Sequence, residues 1–476
     1  MDNKLTKKFG LFTAICMVAG IVIGSGVFFK ATDVFKNNDG NMLTSLLTVL
    51  LVGALMTVCA YTFSILAGKY SHVNGLVDYA ESTVGSFHSY TVGWFMSAIY
   101  YPVITATLAW VSAMYTCSLF GFSGTTESNM RLLITVVYIS LSFALNVLSP
   151  KIAGKFQIST TVIKLIPLTI MAIAGTIVGL VNGQTVENLV ADSASISSAV
   201  GGTGFFGAVV AFAFAYEGWI IATCINAELH DAKKNLPKAL IIGTFIVIGV
   251  YLAYFLGIGS VLSSEEIIAA GSNLPKIAFS KLFGGNEIFG TIAYVFIIIS
   301  CLGTLNGVMV ATCRGFYSLS ARNQGPAPEA LKKISEKSNM PTISSLIGFA
   351  IAAVWMLQWE FGPGRNMLPI IFSFGYDELP IITLYALYIP IFINMMVKSK
   401  DLSVIKRYVF PSLSIVACAF MIYSAITAYE VKVLYYLIVF AVIMLVGILF
   451  YRDENGIKAF DKIVNKVKCK LNKKQL

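Results

Sequence analysis

Apolar residues occur along this chain in twelve long runs that are separated by short polar segments. An α-helix of about 20 apolar residues crosses a bilayer core of about 30 Å, and each run is close to or above that length. The pattern therefore predicts an all-α polytopic membrane protein with twelve transmembrane helices. The predicted spans are 9–30, 42–67, 90–120, 132–148, 156–182, 204–225, 239–262, 287–313, 341–358, 368–396, 408–428 and 433–451.

Two of these runs contain helix-breaking segments deep within the membrane, one in the first span and one in the sixth. Hydrocarbon cannot satisfy freed backbone N–H and C=O groups, so such breaks are tolerated where they line a cavity. Broken helices at corresponding positions of two halves indicate the binding site of a secondary transporter. The candidate binding residues are Ile23, Gly24, Ser25, Gly26, Phe214, Ala215, Tyr216, Glu217 and Gly218.

Composition and charge support a membrane protein and set its orientation. The chain has 57% hydrophobic and 12% charged residues, far below the roughly 25% charged residues of a soluble domain. With the N-terminus placed inside, 26 lysines and arginines fall in inner segments and 7, among them Lys30, in outer loops. By the positive-inside rule both termini are cytoplasmic. The net charge of +10 is therefore a topology signal, and no nucleic-acid partner is expected.

The span order predicts two halves of opposite orientation. Spans one to five form a first repeat (9–182) and spans six to ten a second (204–396), because the first span runs outward and the sixth inward. A cytoplasmic N-terminus (1–8) precedes them. Spans eleven and twelve (408–451) lie outside the repeat, and a basic cytoplasmic tail (452–476) follows.

Helical spacing of apolar residues in this tail suits an amphipathic helix on the inner leaflet, with a solvated tail as the alternative. Ser263 begins a predicted short outer helix in the loop 262–286.

The two breaks offer complementary chemistry. Unwinding at Gly24-Ser25-Gly26 leaves N–H groups at the positive end of a half-helix, which suits a carboxylate. Carbonyls at Ala215–Glu217 suit an ammonium, with Phe214 or Tyr216 closing over it. An amino acid zwitterion fits both ends. The alternative for the first break is close helix packing through small residues.

Lys164 is a charged residue about 13 Å into the fifth span, counted from Lys155 at 1.5 Å per residue. Such groups are costly and are functional candidates by default. Three roles compete: a fixed cation in place of a coupling ion, a titrating proton carrier, or a structural ion-pair partner. Ser300 and Thr304 share one face of the eighth span, where they either serve helix packing or place hydroxyls beside Lys164.

Asp377 and Glu378 lie nine and ten residues into the predicted tenth span. Adjacent helical positions point about 100° apart, so we expect them to serve different contacts. Pro380 is expected to bend that helix. The two carboxylates are candidates for a proton path or a gate, with satisfaction of local polar groups as the alternative.

An enzyme has little support in this sequence. The histidines lie in or beside predicted inner loops, and no metal-ligand spacing, phosphate-binding loop or nucleophile elbow appears. We therefore expect no catalytic residues, no metal and no cofactor.

Several segments resemble the amino acid–polyamine–organocation superfamily, in particular its L-type amino acid transporter-like branch with bacterial serine/threonine-exchanger-like members. The segments are 20–28, 214–219 continuing through 227–228 to 234–237, 155–157 with 164–165, and 314–328. The resemblance implies the five-plus-five inverted repeat of the leucine-transporter type with two further helices. It also implies alternating access and sodium-independent transport, with Lys164 in the place of a sodium ion and Phe214 as the outer gate.

Two departures from these relatives matter. Glu217 stands where many relatives carry glycine or another small residue, which favours a smaller pocket or a cationic group. The outer loop 121–131 has no cysteine, so we expect no disulfide-linked partner subunit.

The sequence thus predicts a cell-membrane permease for small to medium neutral L-amino acids, with the lipid bilayer and protons as further interaction partners. A cationic amino acid or polyamine carrier using Glu217 as counter-ion is the alternative within transport. A non-transporting amino acid sensor is the alternative outside it.

Overall fold

The structure of the chain is a computed structural model, and it describes residues 10–70, 75–220 and 229–452. Its helices α1 to α21 are Leu11–Val22, Gly26–Asn37, Met42–Lys69, Leu76–Thr83, Ser86–Phe95, Tyr101–Leu119, Gly124–Leu148, Pro150–Ile163, Leu165–Ile170, Thr176–Val181, Gln184–Ala199, Thr203–Tyr216, Ala232–Val261, Ser264–Ala270, Leu274–Leu282, Glu287–Ser320, Pro328–Leu331, Thr342–Trp359, Leu379–Lys398, Phe410–Tyr429 and Val431–Leu449. Single π-helical turns lie at Met96–Tyr100, Met171–Gly175, Glu360–Gly364 and Ile405–Val409.

Ten helical stretches in the described parts of the chain are long and apolar enough to cross a membrane. α1 and α2 meet the same criterion together, as a pair bent by 49°. α12 is a shorter apolar helix at the place of the predicted sixth span. Residues 221–225 of the predicted sixth span lie outside the described residues. Each predicted span contains a helix, although α19 covers only 379–396 of the predicted tenth span 368–396, and the all-α polytopic fold is confirmed.

The two halves pack through equivalent helices. α2 contacts α12, α3 contacts α13, and α6 contacts α16. The first, second and third spans of one half therefore meet the sixth, seventh and eighth spans. This pairing suits a pseudo-two-fold axis and matches the predicted inverted repeat of the leucine-transporter type. α20 and α21 follow the repeat and complete the predicted set of spans.

Short helices cover the predicted outer side. The prediction of a helix after Ser263 is confirmed by a capping box, in which Ser263 accepts from the Glu266 N–H and the Glu266 side chain accepts from the Ser263 N–H. α11 was not predicted. Its Asp192 carboxylate accepts hydrogen bonds from the N–H groups of Met42 and Leu43 at 2.7 and 3.2 Å, and thereby caps the N-terminus of α3.

Expectations about residues at the outer ends of the first and tenth spans are wrong. Asp377 and Glu378 do not lie within a helix, because α19 begins at Leu379, and both contact the same side chain, Lys30. Pro380 occupies the first turn of α19, where its missing N–H costs nothing, so it starts the helix and does not bend it. Lys30 was assigned to an outer loop, but α2 continues past it to Asn37 and buries it.

Two further predictions fall on residues that the structure does not describe. The amphipathic tail helix lies almost wholly in 453–476, and the cytoplasmic N-terminus lies in 1–9.

Candidate functional site

The first break separates α1 from α2 by three residues, Ile23 to Ser25. Ile23 turns out of the helix into an extended conformation, and its N–H makes the last α1-type bond to the Ala19 carbonyl. Within the described residues, no backbone carbonyl accepts from the N–H groups of Ser25 or Gly26. These donors sit at the positive end of α2, so this end can receive an anionic group.

The second break begins where α12 ends at Tyr216. Glu217 adopts an extended backbone conformation, and Gly218 follows with φ of 109°, a left-handed value that favours glycine. A Cβ atom on Gly218 would also lie 3.1 Å from the Ile21 side chain on α1. Glycine at this position therefore allows both the turn and the close approach of the two broken helices.

One tyrosine joins the two breaks. The hydroxyl of Tyr251, on α13, lies 3.0 Å from the Val22 carbonyl and 2.8 Å from the Ala215 carbonyl. Both carbonyls belong to the last turn of a broken helix and would otherwise lack a partner in the membrane. The breaks also touch directly, because a Cβ atom on Gly26 would lie 2.8 Å from the Ala215 Cα.

A cavity of about 70 Å³ lies between the two breaks. Most predicted binding residues line it, together with Thr304 from the predicted coupling set. The lining residues taken from the prediction are Gly24, Ser25, Gly26, Phe214, Ala215, Glu217, Gly218 and Thr304. Ile23 and Tyr216 do not line it. Ile23 is buried, and the Tyr216 hydroxyl instead donates to the Val49 carbonyl at 3.0 Å.

Glu217 is the acidic group of the cavity. Its Oε1 accepts a hydrogen bond of 2.7 Å from the Tyr100 hydroxyl. Within the described parts of the chain, Glu217 forms no ion pair with a lysine, arginine or histidine. The cavity therefore carries a carboxylate whose described side-chain partner is a neutral hydroxyl. Its other described donor is the backbone N–H of Gly218.

Tyr100 and its neighbour Tyr101 line the cavity and were missed by the sequence reasoning. A signal existed, because a Tyr-Tyr-Pro sequence in mid-span is unusual in a helix. The structure places a π-helical turn, Met96–Tyr100, directly before it. Such turns are frequent at functional sites.

The cavity is closed on the predicted outer side by two aromatic rings. Phe214 lines the cavity, and its ring meets that of Phe29 edge-on with centroids 6.1 Å apart. Beyond the pair lies a vestibule of about 500 Å³ that is lined by Phe29 and, among others, by Trp110 and Trp359. The placement of Phe214 between the two spaces suits the predicted outer gate.

A buried ion cluster lies against this aromatic pair. The Lys30 ammonium is 2.5 Å from Asp377 Oδ2, 2.5 Å from Glu378 Oε1 and 3.2 Å from Asp33 Oδ2. It also lies 4.6 Å from the centroid of the Phe29 ring, within cation–π range. Tyr429 donates a hydrogen bond to Glu378. The cluster ties α2 to the start of α19 at the floor of the vestibule.

Lys164 lies on the other side of the first break, between α8 and α9. Its ammonium donates a hydrogen bond of 2.7 Å to the Gly20 carbonyl, one turn before α1 ends. Only 4% of the residue is exposed. A cation at this position satisfies an orphan carbonyl and complements the negative end of the helix dipole.

The small-residue face of α16 serves mainly for packing. A Cβ atom on Gly303 would lie 2.2 Å from Thr160 Oγ1. The Thr304 hydroxyl donates to the Ser300 carbonyl and faces Gly24, and neither Thr304 nor Ser300 hydrogen-bonds to Lys164. Within the described residues the buried Ser300 hydroxyl has no hydrogen-bond partner.

The sequence is similar to that of known proteins over most of its length. The family model described as amino acid permease matches residues 9–450. The chain belongs to the amino acid permease family. Membership confirms the resemblance stated from the sequence, and it makes the chain a multi-pass membrane protein of amino acid transport and not an enzyme.

Individual relatives of this permease include both bacterial and animal proteins. It is 30% identical over 356 residues to the serine/threonine exchanger SteT of Bacillus subtilis (strain 168), covering 75% of this chain and 78% of that protein. It is 25% identical over 365 residues to the cystine/glutamate transporter of Homo sapiens, covering 77% and 71%. It is 25% identical over 380 residues to the b(0,+)-type amino acid transporter 1 of Mus musculus, covering 78% and 74%.

Proposed function

We propose that this permease is a sodium-independent secondary transporter of small to medium neutral L-amino acids. It acts by alternating access, as an exchanger or as a proton-coupled permease. The observation that carries the proposal is the cavity between the two breaks, which presents free N–H donors on one wall and carbonyl and carboxylate oxygens on the other.

A zwitterion suits this polarity. The substrate carboxylate accepts from the N–H groups at the start of α2, near Ser25 and Gly26, where the helix dipole adds a favourable charge. The substrate ammonium lies toward the backbone of Ala215 to Glu217. Since the Ala215 carbonyl already faces Tyr251 and Tyr216 does not line the cavity, we assign the larger share of the ammonium contacts to the backbone of Glu217.

The size of the cavity supports small substrates. The volume of the cavity is about 70 Å³, compared with about 500 Å³ for the vestibule. Tyr101, Ile104 and Ile381 line its apolar side. The similarity to the serine/threonine exchanger of Bacillus subtilis also supports small substrates. We therefore propose L-serine and L-threonine as the first substrates to test.

Two further elements support alternating access without sodium. Lys164 provides a fixed positive charge at the end of α1, the position that the family resemblance assigns to a sodium ion in other transporters. The Phe29–Phe214 pair and the Lys30 cluster separate the cavity from the vestibule, and we propose that they open together as the outer gate. Asp377 and Glu378 belong to this gate in the proposal, and a proton path through them is not needed.

We also propose the cell membrane as the location, with both termini cytoplasmic. The support is the distribution of lysine and arginine along the sequence. Because the outer loop 121–131 has no cysteine, the proposal includes no disulfide-linked partner subunit.

A second candidate function is transport of cationic amino acids or polyamines. It is favoured by one observation, the Glu217 carboxylate that faces the cavity with a neutral tyrosine as its described side-chain partner. A cationic side chain or a second amine would gain a charge-assisted hydrogen bond there.

Exchange in proteoliposomes separates the two candidates. The purified wild type and the Glu217→Gly variant are loaded with L-threonine or L-lysine, and uptake of the same labelled amino acid is measured without sodium. We expect threonine exchange in both proteins and no lysine exchange in either. Lysine exchange that disappears in the variant while threonine exchange persists would replace the proposal by the second candidate. Threonine binding without exchange would favour a sensor.

A further inference from the structure

A basic cleft lies where three helix ends meet, apart from the transport cavity and the vestibule. It has a volume of about 480 Å³ and shares no lining residue with either of them. Lys69 contributes from the end of α3, Lys233 from the first turn of α13, and Lys406 from the π-helical turn before α20. The positive-inside rule places all three ends at the same, cytoplasmic, membrane edge.

The charge of this cleft is not balanced. Its acidic lining residue, Asp401, pairs with Lys69 at 2.5 Å. Lys233 and Lys406 are exposed and form no ion pair within the described parts of the chain. The positive end of the 30-residue helix α13 adds to their field, and Asp231 at the N-cap, which does not line the cleft, offsets part of it. The cleft therefore offers a phosphate group two ammonium groups that form no ion pair within the described residues, together with a helix N-terminus.

A cleft on the predicted outer side provides a comparison. It is somewhat larger, about 630 Å³, and its charged lining residues are two lysines and two glutamates, namely Lys276, Lys281, Glu127 and Glu287. Lys281 and Lys276 both pair with glutamates. The charges of the outer cleft therefore balance, whereas the inner cleft has an excess of lysine.

Apolar surface continues directly from the lysines. Val404 and Ile405, beside Lys406, are 71% and 59% exposed, and Val409 is 45% exposed. Tyr61 lines the cleft, and its ring packs in a tilted arrangement against the ring of Phe410, with centroids 4.1 Å apart. Aromatic rings and lysines at this level are typical of the membrane interface. A free phosphate ion would use the lysines alone, whereas a phospholipid uses both the lysines and the apolar surface.

We propose that this cleft binds the headgroup of an anionic phospholipid from the inner leaflet. The lipid phosphate lies between Lys233 and Lys406, and its acyl chains cover Val404 and Ile405. Because the cleft is built from α3, α13 and the segment before α20, the bound lipid holds these helix ends together. The lipid thereby stabilises the contact between the two repeats, to which α3 and α13 belong. This inference does not depend on which amino acid is transported.

Thermal unfolding of the full-length protein in a neutral detergent tests the proposal. The probes are phosphatidylglycerol, phosphatidylcholine and inorganic phosphate, each titrated against the wild type. A ligand that binds the folded state raises Tm with its concentration. We expect phosphatidylglycerol to raise Tm, and phosphatidylcholine and inorganic phosphate at matched concentrations to have no such effect.

The matched variants are Lys233→Gln/Lys406→Gln and, as a control of equal charge, Lys333→Gln/Lys337→Gln. All four lysines are exposed, so both proteins are expected to fold, which Tm without lipid verifies. A lysine near an anionic surface contributes about a fivefold factor in affinity, so the cleft variant should need roughly 25-fold more phosphatidylglycerol for the same shift. The control should match the wild type.

Three results would overturn the proposal. An equal Tm shift with phosphatidylcholine would show that the charge of the lipid is irrelevant. An equal shift with inorganic phosphate would make the cleft a simple anion site. A cleft variant that responds to phosphatidylglycerol as the control variant does would place the lipid elsewhere on the protein.

Discussion

The Lys164 ammonium donates a 2.7 Å hydrogen bond to the carbonyl of Gly20. This bond joins the fifth span to the last turn of α1, immediately before the first break. The Gly20 carbonyl is one of the orphan acceptors at a helix end, and in the membrane no water is at hand to satisfy it. Lys164 therefore sets the position of α1 relative to the cavity. In the alternating access that we propose, α1 is the element that moves.

Removal of this ammonium should impair transport. In Lys164→Ala the Gly20 carbonyl loses a charge-assisted hydrogen bond, which contributes about 1.5–3 kcal/mol. We expect the exchange rate to fall by roughly 10- to 100-fold in proteoliposomes at every pH tested. Lys155→Ala, an exposed lysine of the same helix, is the control and should exchange at the wild-type rate. A Lys164→Ala protein as active as wild type across pH would remove Lys164 from the coupling mechanism.

The Lys30 cluster makes a separate prediction about stability. Lys30→Met leaves the adjacent, buried carboxylates of Asp377 and Glu378 without their cation, and breaking a buried pair costs about 3–5 kcal/mol. We expect a marked fall in Tm that Lys30→Met/Glu378→Gln partly restores. Asp33→Asn should have little effect, because that side chain is 40% exposed. Equal Tm values for Lys30→Met and Asp33→Asn would show that the cluster does not stabilise the fold.

The contact between the two breaks can be tested with one methyl group. In Gly26→Ala the new Cβ would lie 2.8 Å from the Ala215 Cα, a backbone atom that cannot move cheaply. Overpacking of this kind costs about 1–3 kcal/mol. We expect threonine binding to weaken by about tenfold or more. Gly249→Ala in α13 has no heavy atom within 4 Å of its Cβ and serves as the control. Normal binding by Gly26→Ala would mean that the helices need not approach so closely.

The outer helix α14 should respond to acid. Burial acts to raise the pKa of Glu266, but hydrogen bonds from Lys281 and Ser263 outweigh burial and hold the pKa below its usual 4.5. A carboxyl group whose pKa is lower in the folded protein than in the unfolded chain stabilises the fold. This contribution is fully present above the unfolded pKa and is lost as the pH falls through the folded pKa. The contribution is small, since the side chain is 43% exposed.

Thermal unfolding from pH 6 to pH 3, taken as an approximate working range around that pKa, provides the measurement. Wild-type protein should lose more stability on acidification than Glu266→Gln, in which the titrating group is absent. Glu265→Gln, an exposed neighbour, should behave like the wild type. An equal fall in Tm with decreasing pH for wild type and Glu266→Gln would show that ionisation of Glu266 does not contribute to the stability of the fold.

Hydropathy and glycine placement predicted the spans and the two breaks, because both follow from what hydrocarbon tolerates. The same reasoning could not find Tyr251. It lies in an uninterrupted apolar run, and the polar atom that bridges the breaks sits at the tip of a largely apolar ring. A sequence pattern shows that a residue is in the membrane but not which partner its hydroxyl meets.

Charges near the ends of spans were also difficult to place. Lys30 is the last residue of the first predicted span, so its charge indicates the start of an outer loop, and Asp377 is predicted in the interior of a helix. Only the tertiary arrangement brings these residues from α2 and the start of α19 together, 347 positions apart in the sequence. The cluster of Lys30 with three carboxylates satisfies the expectation that intramembrane charges pair with one another.

The most direct test of the central claim is counterflow in sodium-free proteoliposomes loaded with unlabelled L-threonine. Labelled L-threonine is supplied outside, and accumulation is compared with that in empty vesicles and in vesicles that contain Lys164→Ala. The account predicts accumulation by the wild type that needs internal amino acid or a proton gradient and is unchanged when sodium is added. Accumulation that appears only with sodium, or none for any neutral amino acid despite measurable binding, would contradict it.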